Sequence, residues 1–155
     1  NPDILFTFQE ITRCIKYMNM HMLSMCLSIL KIQGNKMQIS AAGMPPALLY
    51  RNKTKSVEEI ILKGMPLGAV QDFPYELRQT EIYTGDTILL MSDGFPEMFN
   101  KDKELFGYER VIETYQQAAD KNPEEIIRKL KNAGSEWSQS DTPDDDVTFV
   151  VIKVK

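Results

Sequence analysis

The sequence predicts an α+β fold, an antiparallel sheet system covered by helices. Three observations carry this. A helical apolar pattern opens the 155-residue chain, and short apolar or alternating segments divided by turn residues then run to about residue 91. Two further helical patterns and a last apolar strand close it. Strands linked as hairpins and grouped apart from helices mean α+β rather than repeated βαβ units.

Asn1-Pro2-Asp3 is a turn-like start. Ile4, Leu5, Phe8, Ile11, Cys14 and Ile15 then recur at spacings of three and four, one face of an amphipathic helix. Gln9, Glu10, Arg13 and Lys16 remain for its wet side. From His21 to Ile32 an apolar run follows; Gln33-Gly34-Asn35-Lys36 supplies a tight turn, and Met37 to Ala41 returns as the second arm of a hairpin. Met18, Met20, Met22 and Met25 are expected to fill core, and the lone His21 to sit at a surface or strand edge.

Ala41-Ala42-Gly43-Met44-Pro45-Pro46 ends that strand in small residues and a rigid extended turn, before a new strand leaves through Leu48-Leu49-Tyr50. The small residues allow close backbone approach, either to another element or to a ligand. Arg51 to Lys55 is a solvated turn, Glu58 to Leu62 a short strand, and Gly64-Met65-Pro66-Leu67-Gly68 a second rigid loop. Tyr75 to Tyr83 alternates like a half-exposed strand. Thr84-Gly85-Asp86 reads as the hairpin turn into Thr87-Ile88-Leu89-Leu90-Met91-Ser92-Asp93-Gly94, a buried strand ending at a polar turn.

Beyond Glu97 the pattern becomes helical. Asn100 to Glu104 is a charged loop, and Tyr108 to Ala119 carries Val111, Ile112 and Tyr115 at helical intervals. Asn122-Pro123-Glu124-Glu125 starts a second helix, with Asn as N-cap, Pro in the first helical position and acids in the first turn. Its periodicity reaches about Trp137. Ser138 to Pro143 is a loop, and Asp144-Asp145-Asp146 leads into the strand Val147 to Val154.

Composition narrows the function. With 43% hydrophobic and 26% charged residues the chain is most simply one globular domain. A net charge of -4 without a basic cluster argues against nucleic-acid binding. Neither GxGxxG nor GxxxxGK[ST] occurs, which disfavours a generic nucleotide-binding domain. No apolar run approaches the ~20 residues of a membrane span. Cys14 and Cys26 lack metal-ligand spacing and are expected to be reduced, core-type thiols of a cytoplasmic protein.

Two carboxylate groups stand at strand boundaries: Asp93 at the end of one strand, Asp145 and Asp146 at the start of another. Consecutive aspartates repel one another, so the run is either a solvated strand cap or a cation site. Carboxylates without His or Cys suit hard ions such as Mg²⁺ or Mn²⁺.

The chain resembles the metal-dependent serine/threonine phosphatase (PPM) superfamily, in its bacterial SpoIIE/RsbU branch. The resemblance lies in Ala41 to Tyr50, Pro66-Leu67-Gly68, Gly85 to Glu97 with its Ser92-Asp93-Gly94 core, Leu105-Phe106-Gly107, and Asp145-Asp146-Val147-Thr148. These blocks follow the family order across essentially the whole chain.

The resemblance implies a partial α-β-β-α sandwich of mostly antiparallel strands with flanking helices. It also implies two Mn²⁺ or Mg²⁺ ions serving hydrolysis of phosphoserine or phosphothreonine by an activated water. By motif, Asp93 and Asp145 are metal ligands, Asp146 tunes the site and Gly94 permits close packing. The implied substrate is a phosphorylated regulatory protein such as an anti-sigma-factor antagonist.

Two departures qualify this. Met44 stands where the family usually has His, and the family's early Asp and its Asp-Gly-His-Gly block do not occur in this sequence. Residues 1–155 are therefore expected to be a phosphatase domain without its first metal-motif segment, weakly active or inactive alone. The alternative is a non-catalytic binding domain that keeps the fold. Without that segment's strands, sheet edges and the face under the first helix are expected to lie open, favouring a homodimer.

Overall fold

A computed structural model describes residues 3–18, 23–139 and 145–155. The elements run α1 (Ile4–Tyr17), β1 (Leu27–Gln33), β2 (Lys36–Ala42), β3 (Ala47–Arg51), β4 (Ser56–Ile60), β5 (Arg78–Glu81), β6 (Thr87–Met91), α2 (Gly107–Ala118), α3 (Pro123–Ser138) and β7 (Phe149–Lys153). This is the predicted order of one helix, six strands, two helices and a final strand. The strands form two antiparallel sheets. The chain divides into two compact units, Asn1–Met44 with Ile61–Ile82, and Pro45–Ile60 with Tyr83–Lys155.

The first unit holds α1 and the sheet β1-β2-β5. Asp3 caps α1, its carboxylate accepting from the Phe6 N–H at 2.9 Å. Ile4, Phe8 and Ile15 pack with Ala42 and Leu67, flanked by Leu27, Ile29, Tyr75 and Leu77. The face under α1 is therefore covered, contrary to the expectation that it would lie open. Gln33 pairs with Lys36 to close the predicted hairpin over Gly34 and Asn35. The small residues near Ala41 let the chain at Gly64 approach closely. Gly43 N–H donates to Gly64 C=O at 2.9 Å, and a Cβ at Gly64 would collide with the Ala41 carbonyl.

Several expectations for this unit are corrected. Cys14 and Cys26 are exposed, not core thiols. The buried stripe of α1 is Ile4, Phe8, Thr12 and Ile15. Cys14 lies about 100° from Ile15 around the helix, outside that stripe. Met18 and Met25 are also exposed, because Met18 follows the last buried turn and Met25 only bridges to Leu67. His21, Met20 and Met22 lie outside the described residues. β1 begins at Leu27, within the predicted apolar run, and β5 spans four residues.

The second unit holds the sheet β4-β3-β6-β7 with α2 and α3. Leu48, Tyr50, Leu89 and Met91 on one sheet face pack with Val111, Tyr115 and Ala118 of α2 and with Ile126 and Leu130 of α3. Each fully buried Leu, Ile or Val among them contributes roughly 1.5–3 kcal/mol. Leu49 and Ile88, on the opposite face, are buried as completely. The Tyr115 hydroxyl donates to Thr87 C=O at 2.8 Å, while the Thr87 hydroxyl donates to Ala119 C=O at 2.9 Å. Burial pushes the Tyr115 phenol well above its ordinary pKa. Asn122 caps α3 as predicted, accepting from the Glu125 N–H at 2.9 Å.

Thr84-Gly85-Asp86 does turn, with Asp86 N–H donating to Tyr83 C=O at 2.9 Å, but it closes no hairpin. β5 pairs with β2, whereas β6 pairs with β3 and β7. The turn instead gathers backbone around a buried carboxylate. Asp86 accepts from the Asn52 N–H at 2.9 Å, the Tyr83 N–H at 3.1 Å and the Arg51 guanidinium at 3.2 Å. β7 begins at Phe149, two residues later than expected. Among the described residues no helix is long and apolar enough to cross a membrane.

Candidate metal centre

Asp93 is held from both sides. Met91 ends β6 in the core, and Phe95 is buried beside the rings of Phe106 and Phe149, at 4.9 and 4.8 Å between centroids. Between these anchors the chain turns, with Glu97 N–H donating to Asp93 C=O at 3.0 Å. The start of α2 is tied to the same turn, because Gly107 N–H donates to Pro96 C=O at 2.8 Å. Asp93 and Glu97 are themselves exposed. An exposed carboxylate on a pinned turn is well placed to bind without first ordering itself.

The segment before β7 lies against this turn. A Cβ on Gly94 would come within 2.6 Å of the Asp146 carbonyl oxygen and 3.4 Å of the Asp145 carbonyl carbon. Only glycine permits that approach, the packing role assigned to Gly94 from its motif. Ser92 fastens the two segments. Its N–H donates to Thr148 C=O at 3.1 Å, its hydroxyl donates to Asp146 C=O at 2.9 Å, and the Thr148 N–H donates to that hydroxyl at 2.9 Å. Asp145 turns one carboxylate oxygen toward the Asp146 N–H at 2.7 Å.

Asp93, Asp145 and Asp146 are thus brought to one region of the second unit, all exposed, while Asp144 lies outside the described residues. Asp93, Glu97, Asp145 and Asp146 make no ion pair among the described residues. Tyr108, in the first turn of α2, feels the same charge. Desolvation first, then the charges of Glu97 and Asp93, raise its phenol above the ordinary value. Sequence reasoning missed Ser92. The signal available for Ser92 was a hydroxyl residue at the point where an apolar strand gives way to Asp-Gly.

The donor chemistry fits a hard divalent ion, since these are carboxylate oxygens beside a cradle that a Cβ would fill. The number of donors is short, because no group of three or more His, Cys, Asp or Glu side chains among the described residues could hold an ion. Substituting Gly94→Ala is expected to destabilise the protein by about 1–3 kcal/mol through overpacking, and to force Asp145 and Asp146 away from the turn. Chemical denaturation would read the cost, and amide chemical shifts at residues 145–148 the displacement.

A sequence profile described as Stage II sporulation protein E (SpoIIE) matches residues 6–155. The chain belongs to the SpoIIE family. This SpoIIE-family chain is 26% identical over 134 residues to Stage II sporulation protein E of Bacillus subtilis, covering 83% of the chain and 15% of that protein. It is 34% identical over 58 residues to the phosphoserine phosphatase RsbU of the same organism, covering 37% of the chain and 17% of RsbU. It therefore spans well under a fifth of either relative.

Among solved structures, the B. subtilis SpoIIE phosphatase domain aligns with a TM-score of 0.67 at 18% identity, over 99% of this chain and 68% of that one. A structure of the RsbU and RsbW domains of a Mycobacterium tuberculosis protein aligns with a TM-score of 0.74 at 20% identity, over 99% of this chain and 42% of that one. The S. agalactiae serine/threonine phosphatase gives 0.73 at 11% identity, over 98% and 69%. At these identities the likeness is one of fold. Among the described residues, the three helices and two antiparallel sheets match the fold of these structures.

Proposed function

We propose that this SpoIIE-family chain carries part of a metal-dependent phosphatase domain that hydrolyses phosphoserine or phosphothreonine on a regulatory protein. The observation that carries the reading is the fastening of the Asp93-Gly94 turn to Asp145-Asp146 through Ser92. Asp93 and Asp145 would hold Mn²⁺ or Mg²⁺, and Asp146 would tune the site's charge. What such an ion supplies when bound is a coordinated water of lowered pKa and neutralised charge on the phosphoryl oxygens. The chain's own part is to present two carboxylates from rigid backbone and to keep positive side chains from neutralising them.

The relatives support the substrate class, since RsbU is named a phosphoserine phosphatase. For this chain an anti-sigma-factor antagonist, acted on in the cytoplasm, is the corresponding proposal. Two ligands cannot hold a dinuclear pair, so the 155-residue chain is expected to hydrolyse p-nitrophenyl phosphate weakly or not at all with Mn²⁺. A version extended at the N-terminus to include the early Asp and the Asp-Gly-His-Gly block is expected to be active. Equal, strong turnover by both would refute the division of the site.

The short donor count also supports a second reading, a non-catalytic binding domain that retains the fold. The discriminating observation is whether those two motifs lie upstream. We also propose that this chain self-associates through its sheet edges, where β1, β5, β4 and β7 are outermost. A clean monomer by light scattering at high concentration would exclude it.

A further inference from the structure

We propose that Ser92 is the positioning residue of this centre, and that its hydroxyl sets the Asp145-Asp146 segment against the Asp93-Gly94 turn. This rests on the reading of Asp93 and Asp145 as metal ligands.

β6 and β7 form an antiparallel ladder that runs up to the turn. Regular pairing runs from Thr87 opposite Lys153 to Met91 opposite Phe149. At the next pair Ser92 N–H still donates to Thr148 C=O, but the Thr148 N–H is taken by the Ser92 hydroxyl. The side chain does there what a strand carbonyl does elsewhere in an antiparallel ladder. The backbone of Ser92 can then turn into Asp93-Gly94 while the partner strand stays attached. The same hydroxyl spends its proton on the Asp146 carbonyl, the group whose oxygen sits over Gly94.

One oxygen thus fixes a donor and an acceptor on the segment that bears both aspartates, and this needs a group that accepts and donates at once. Asp145 and Asp146 are exposed and gain no comparable hold from burial. Their backbone placement relies on Ser92 and on the absence of a side chain at Gly94.

The test compares Ser92→Thr with Ser92→Val, which share a shape and differ in the hydroxyl, beside Ser92→Ala. Mn²⁺ titrations of the full chain are followed by paramagnetic broadening of amide signals at Gly94 and Val147, a readout that serves even for weak binding. Hydrogen exchange at the Thr148 amide is measured without metal. Ser92→Val and Ser92→Ala are expected to shift the Mn²⁺ midpoint upward by about 10–100-fold, as for other groups that support a ligand. Both should also speed Thr148 exchange, while Ser92→Thr restores both values.

Equal Mn²⁺ midpoints for the threonine and valine variants would overturn the proposal. If Asp93→Asn and Asp145→Asn still remove the broadening in that case, the metal reading stands and the positioning role alone falls. If those two variants broaden like the parent chain, the metal reading fails and the positioning role goes with it.

Discussion

Asp86→Ala is expected to cost about 3–5 kcal/mol, a large part of the stability of a domain this size. Asp86 is 2% exposed and accepts from two backbone N–H groups and from Arg51. Truncation takes the acceptor from two partly buried N–H groups and removes a charge that Arg51 was placed to meet. Arg51 also pairs with Glu58 at 2.9 Å, which limits the purely ionic part of the loss. Glu58 is half exposed, so Glu58→Ala is expected to cost no more than about 1 kcal/mol. Equilibrium denaturation of the two variants separates a buried acceptor from a surface ion pair. Similar small losses in both would refute the role given to Asp86.

Asp93→Asn and Asp145→Asn are expected to do the opposite: abolish activity and leave stability intact. Both carboxylates are exposed and make no ion pair among the described residues, so the folded chain loses little when they become neutral. In the N-terminally extended protein either change should lower Mn²⁺-dependent p-nitrophenyl phosphate hydrolysis by more than about 100-fold. That exceeds the 10–100-fold usual for a group that only supports a ligand. Thermal midpoints should stay level or rise, because each change relieves repulsion among neighbouring acids. Activity retained by Asp93→Asn with a lowered midpoint would make Asp93 a structural residue and return the turn to an ordinary role.

These predictions fall on opposite sides of what a sequence can disclose. Asp93, Gly94 and Asp145 stood out because each occupies a strand boundary within a recognisable block, and the structure places the two blocks together. Asp86 carried only a turn signal, and the Thr84-Gly85-Asp86 turn was expected to close a hairpin. β5 and β6 belong to different sheets, and Asp86 serves as a buried acceptor instead. Cys14 belonged by period to the apolar face of α1, yet the buried stripe runs through Thr12 and leaves the thiol exposed.

By itself the sequence determined the order and kind of the elements, the N-cap of α3, and the Asp-Gly turn that follows β6. All of these are written in spacings of a few residues, where helical and strand periods and the chemistry of Asn, Pro and Gly act locally. Tertiary structure alone decided that β5 and β6 join different sheets, and that Thr12 rather than Cys14 lies in the buried stripe of α1. It also decided the Ser92 hydroxyl's partners, one of them 54 residues away. The reason is range. A strand's period says which side chains share a face but not which strand lies beside it, and a hydroxyl is given its partners only when distant backbone is folded against it.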